Sequence, residues 1–179
     1  IMKGKIKNRI LLGILLIVLP FIISVGSQVV VRHYKKPSKI VLIPKATDPR
    51  NTFWQTVKMG AELAAKEEGI KMEFVGANAE KDIDEQIKVL EEYMEDQDSI
   101  ILLAPAHAEK LVKSVEALKE NGVVLVAVDS TVETVEEITS IATNNVKASS
   151  LLANHLASLM ENEGEVVMLN FIQGASTAK

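Results

Sequence analysis

The sequence predicts an α/β lobe: a doubly wound parallel sheet, preceded by one apolar segment long enough to span a membrane. Three observations predict it. Short apolar runs recur along the chain, amphipathic stretches separate them, and several of those stretches end in glycine just before the next run. Apolar runs bounded by helical patterns call for parallel strands with helices on both faces.

The runs are "KIVLIP" from Lys39, "KMEFVG" from Lys71, "SIILLAP" from Ser99, "VVLVAVD" from Val123 and "EVVMLN" from Glu165. They are rich in Ile, Val and Leu, as strands buried on both faces should be. The intervening stretches carry apolar stripes at helical spacing. These are Ile83, Ile87, Leu90 and Met94; Leu111, Val115 and Leu118; and Ala148, Leu152, Leu156 and Leu159. For the first helix, a cap at Thr52 predicts a core stripe of Phe53, Val57, Ala61 and Ala64, with Trp54 turned about 100° away from it. Thr52 with Gln55, and Asp82 with Glu85, have capping-box spacing. Gly69, Gly122 and Gly164 are placed to take the left-handed conformation that ends a helix.

Composition narrows the function classes. The chain has 179 residues, 47% apolar and only 4% aromatic, enough for one ordinary domain. There is no cysteine, which excludes disulfides, thiolate metal sites, a Cys nucleophile and a lipid-modified Cys. Residues 1–36 hold seven basic residues and no acid, leaving 13 basic against 24 acidic residues beyond Lys36. An acidic body of this kind repels polyphosphate, so nucleic acid is not an expected partner.

The segment Ile10–Val31 carries no charge over 22 positions, and about 20 suffice to cross the hydrocarbon as a helix. Basic residues precede it, so residues 1–9 are expected to stay cytoplasmic and the body to be exported. An uncleaved anchor and a cleaved signal peptide both fit. The "VGS" at Val25–Ser27 is a passable cleavage site, while the lack of a lipidation Cys favours the anchor. Residues 32–39 read as a polar linker.

Ligands of open parallel sheets bind beyond the carboxyl ends of the strands, at a switch in strand order. That rule selects Lys45–Trp54, Gly76–Asn78, Ala104–His107, Asp129–Thr131 and Thr143–Asn145. Trp54, off the core stripe, either stacks on a flat apolar ligand face or packs on a second lobe or the linker. Asp129, closing a strand, either accepts two ligand hydroxyls or caps the turn that follows. Asp48 reads as a turn residue beside Pro49. Arg50 binds an anion or faces water, and His107 faces ligand or water. His155 reads as a helix-boundary residue, and His33 belongs to the linker. The first strand–helix junction, "PKATDPRNT", contains no glycine, against a dinucleotide or P-loop site. No HExxH, GxSxG or paired-Cys spacing occurs, and no nucleophile–base pair is legible. No catalytic residue, metal site or cofactor is therefore expected.

The stretches "IVLIPKATDPRNTFWQTVKMGAELAAKEEGIKM", "EKDIDEQIKVLEEYMEDQDSIILLAPA", "VVLVAVDS" and "IATNNVKASSLLANHLA" together resemble the periplasmic sugar-binding proteins of the ribose-binding type. The ligand cores of lactose-repressor-like regulators share the pattern. The resemblance runs from about Lys39 to Lys179. It implies two flavodoxin-like lobes joined by a hinge, the first with strand order 2-1-3-4-5, and a sugar-like solute bound in the cleft between them. It implies ligand contacts from Asn51, Phe53 and Trp54, whose aromatics would sandwich a sugar ring, and from Asp129. It places Thr143 and Asn145 at the crossing to the second lobe, and Lys179 where the family has an Arg that contacts ligand. Thr52, Ala104, Ser130 and Lys179 depart from the ribose-binding pattern, which puts ribose itself in doubt. On this reading residues 40–142 form the N-terminal lobe and 143–179 open an incomplete second lobe. A lone lobe offers half a cleft, so the chain by itself is expected to bind ligand weakly or not at all.

The resemblance implies an extracytoplasmic solute-binding protein that serves an ABC-type importer, not an enzyme. A membrane-anchored sensor feeding a partner such as a histidine kinase is the alternative. A repressor-like core is disfavoured, because an apolar segment stands where a helix-turn-helix would be.

Overall fold

The computed structural model describes residues 36–134 and 138–169, together with Val18 and Pro20. The chain divides into two units at Lys36, and the second, Pro37–Lys179, carries the sheet. The apolar segment Ile10–Val31 lies outside the described residues except for Val18 and Pro20. Among the described residues, no helix is long and apolar enough to cross a membrane.

Five parallel strands form one sheet in the order β2-β1-β3-β4-β5. They are β1 (Lys39–Ile43), β2 (Lys71–Phe74), β3 (Ser99–Leu103), β4 (Val124–Val128) and β5 (Ser140–Ile141). The helices are α1 (Thr52–Glu68), α2 (Ile83–Glu92), α3 (Val112–Glu120) and α4 (Asn145–Leu159). The expected order is the observed one, but the fifth strand differs. β5 is a two-residue, solvent-exposed strand with no apolar run to mark it. The run "EVVMLN" is irregular over 165–169, with Val166 to Leu169 all exposed. No described strand borders it to take up its backbone hydrogen bonds.

The pleat sends alternate side chains to opposite faces. Val41, Ile43, Ile101, Leu103 and Leu125 point to one face, where Leu90 of α2 and Val115 and Leu118 of α3 cover them. The stripes read for α2 and α3 are therefore core stripes. The stripe of α4 is not: the helix buries no residue, and Leu152 and Leu159 are exposed.

On the other face Trp54 of α1 packs with Ala46, Ala104, Val57 and Phe74. This overturns the expected phase of α1. Trp54 is 3% exposed and Phe53 54%, and the half-buried or buried row runs Trp54, Val57, Ala61, Ala65. The reason is volume. Ala46 and Ala104 leave a gap at the ends of β1 and β3 that the indole fills, and Phe53 is displaced to the rim. The N-cap is also one residue earlier than expected. Asn51 Oδ1 accepts the Trp54 backbone N–H at 3.3 Å, satisfying a donor the helix start leaves free. Asp82 caps α2 without any side-chain hydrogen bond, so its capping box does not form. Gly69 ends α1 in the left-handed region at φ 62°. α4 instead turns at Glu161 and Asn162, both at positive φ, ahead of Gly164.

Candidate functional site

Because all strands run parallel, their carboxyl ends share one edge, and the order 2-1-3 opens a crevice there. A cleft of about 350 Å³ lies at this edge, lined by Lys45, Asn51, Phe53, Trp54, Glu80, Asp129, Thr143 and Asn145. Six of the residues expected from the sequence thus come together: Asn51, Phe53, Trp54, Asp129, Thr143 and Asn145. Lys179 lies outside the described residues. Lys45, which the strand-end rule included without a role of its own, also lines the cleft, and Glu80 is an addition. Lys45 follows the first strand directly and Glu80 stands just past Asn78, so position relative to strand ends was the available signal.

Phe53 and Trp54 form one aromatic corner, with centroids 4.8 Å apart and rings at 82°. The buried indole fixes the corner, and the exposed phenyl ring lines the cleft. Asn51 spends its carbonyl oxygen on the helix cap, which leaves its amide N–H groups to donate.

Asp129 sits just beyond β4 at φ 66°, a region that Asp tolerates better than most residues. Its backbone N–H donates to the Ile141 carbonyl at 2.9 Å. Next to it, buried Ser130 donates its hydroxyl to the Pro105 carbonyl at 2.9 Å. These bonds hold the turn and leave the Asp129 carboxylate to the cleft, where its Oδ2 is 2.9 Å from Lys45 Nζ. The Lys45 ammonium is also 3.8 Å from Glu80 Oε1, with only 5% of its side chain exposed. Burial raises the Glu80 carboxyl above its usual range; Lys45 opposes that shift and the charge of Asp129 adds to it. The wall therefore presents acceptors from two carboxylates, donors from Lys45 and Asn51, and an aromatic face. Such a set suits a compact ring with several hydroxyls.

Gln86 braces this edge from below. Fully buried on α2, it donates Nε2 to the Pro44 carbonyl at 3.0 Å and the Ala104 carbonyl at 2.9 Å. Its Oε1 accepts the Ala106 N–H at 2.9 Å. It thus ties together the ends of β1 and β3 from which Lys45 and the 104–106 turn extend.

The remaining rim residues turn out to be local. Asp48 accepts the Arg50 backbone N–H at 2.9 Å and pairs with its guanidinium at 2.7 Å. That pairing holds the Asp48 carboxyl at about 2. His107 Nδ1 accepts the Glu109 N–H at 3.2 Å, which makes it a turn residue. His155 lies exposed on α4.

Comparison with known proteins agrees with this fold. Residues 40–179 match the model of the periplasmic binding protein domain. The ribose import binding protein of Bacillus subtilis is 27% identical over 129 residues, covering 72% of this chain and 42% of the relative. A sugar transporter structure from Clostridium phytofermentans superposes with a TM-score of 0.71 at 30% identity, covering 78% of this chain and 52% of that one. A carbohydrate transporter solute-binding protein from Agrobacterium radiobacter, in complex with D-arabinose, gives 0.69 at 27% identity, covering 80% and 50%. The chain spans about half the length of the curated relatives it matches. These relatives are sugar-binding transport proteins rather than enzymes. With the fold, the strand order and the matched span in agreement, the chain belongs to the periplasmic binding protein domain family.

Proposed function

We propose that this chain is the N-terminal lobe of an extracytoplasmic binding protein that takes a sugar or sugar-like solute into the cleft at the strand ends. The observation that carries the reading is the convergence of Asn51, Phe53, Trp54, Asp129, Thr143 and Asn145 on one cleft. Phe53 stacks on the ring, Asp129 accepts ligand hydroxyls, and Asn51 donates to the ligand. Thr143 and Asn145 lie where residues 143–179 begin a second lobe, which closes over the ligand. A relative named for ribose import and a structure holding D-arabinose support the sugar class.

The partner on this reading is an ABC-type permease, which receives the solute from the closed form. The acid-free basic N-terminus and the uncharged segment Ile10–Val31 tether the protein to the membrane with its body outside. Equilibrium dialysis of the full-length protein against radiolabelled D-ribose, D-arabinose, D-galactose and D-glucose tests the reading. At least one is expected to bind saturably, and none binding overturns it.

A further inference from the structure

The cleft wall holds one cation between two carboxylates. Lys45 lies 2.9 Å from Asp129 Oδ2 and 3.8 Å from Glu80 Oε1, and only 5% of its side chain meets solvent. At the shorter distance its charge is engaged by Asp129. It is therefore poorly placed to receive a ligand anion, and Glu80, with 17% of its side chain exposed, adds a negative charge that nothing on this wall fully offsets. The other cleft-lining residues, Asn51, Phe53, Trp54, Thr143 and Asn145, are uncharged. Arg50 is nearby in sequence, but its guanidinium is paired with Asp48.

We propose that Glu80, acting with the Lys45–Asp129 pair, sets the charge class of the ligand: the cleft takes a neutral polyhydroxylated ring and rejects its carboxylate-bearing counterpart. This rests on the sugar-binding reading and deepens it. A ligand carboxylate entering the cleft meets Glu80 in a partly desolvated setting, where like-charge juxtaposition is costly. A neutral sugar meets the same groups as hydroxyl acceptors. Glu80 is thus a specificity-determining residue, and Lys45 is a positioning residue that holds Asp129 in place for the hydroxyls.

Isothermal titration calorimetry on the full-length protein tests the proposal. The probes are whichever neutral sugar binds in dialysis, together with D-galactose, D-glucose and the uronates that keep their rings, D-galacturonate and D-glucuronate. The bound neutral sugar is expected to exceed either uronate at least about tenfold in affinity, and Glu80→Gln is expected to narrow that ratio by raising the affinity for the uronate. Glu80→Ala, which removes the carboxylate by a different route, should narrow it likewise. An acid that binds as tightly as its neutral partner overturns the proposal, as does an unchanged ratio in both variants. If the acids bind and no neutral sugar does, the charge assignment fails while the cleft still binds a sugar derivative. If nothing binds, the underlying sugar reading fails.

Discussion

Replacing Gln86 with Leu should destabilise the lobe more than any other single change of a polar side chain on α2. The substitution keeps roughly the volume of the side chain but removes both of its polar ends. Two carbonyls, of Pro44 and Ala104, lose their donor, and the Ala106 N–H loses its acceptor. Gln86 has no solvent exposure, so water cannot replace it without the strand ends separating. A buried polar group left unpaired costs about 1–3 kcal/mol. Three such groups at that cost, less a gain of about 1 kcal/mol from the added apolar surface, give an expected loss of about 2–8 kcal/mol. Urea unfolding followed by far-ultraviolet circular dichroism reads the difference. A loss below about 1 kcal/mol would refute the reasoning, because it would mean that the strand ends satisfy themselves without the brace.

Further expectations concern the aromatic corner and two titrating groups. Trp54→Ala should cost about 3–5 kcal/mol of stability, as large core aromatics do, whereas Phe53→Ala should leave stability within about 1 kcal/mol and weaken sugar binding. Comparing their unfolding midpoints checks the phase of α1. Glu80 holds its proton more tightly in the folded chain than its ordinary value of 4.5 implies. Its contribution is therefore favourable at low pH and falls as pH rises through that range toward the raised value, and Glu80→Gln should flatten the midpoint-versus-pH curve there. Tyr93 is pushed up to about 12, by burial first and then by its hydrogen bond to Glu73. Stability should drop as pH climbs from 10 toward 12, and Tyr93→Phe should remove that drop, as read by thermal melts in alkaline buffer.

What was legible in the sequence follows from how each feature is encoded. Strands β1, β3 and β4 announce themselves because their burial demands apolar runs, and β2 carries a shorter run although none of its residues is fully buried. β5 does not, since an exposed two-residue strand needs no such run. "EVVMLN" has the composition of a strand, but composition alone supplies no neighbour. The phase of α1 depended on which gap between strand ends was large enough for an indole, and Ala46 and Ala104 set that only once β1 and β3 are adjacent. Rim position brought Asn51, Asp129, Thr143 and Asn145 into view, because the rule about strand ends needs only the strands. The same rule reached Lys45 without giving it a role, and it stopped short of Glu80. Their role emerges when β4 carries Asp129 to within 2.9 Å of Lys45, a proximity set by strand order and not by local pattern. Gln86 was hidden for a related reason: it sits beside the Ile83, Ile87, Leu90 stripe, and its partners are carbonyls from strands remote in sequence.

The central claim is that a sugar ring occupies the cleft at the strand ends. A crystal structure of the full-length protein grown with a sugar that binds in dialysis tests it most directly. The account predicts one sugar against the Phe53 ring, with carbon atoms within about 4.5 Å of it and ring hydroxyls hydrogen-bonded to the Asp129 carboxylate. A sugar bound elsewhere, or held without contact to Phe53 and Asp129, would contradict it.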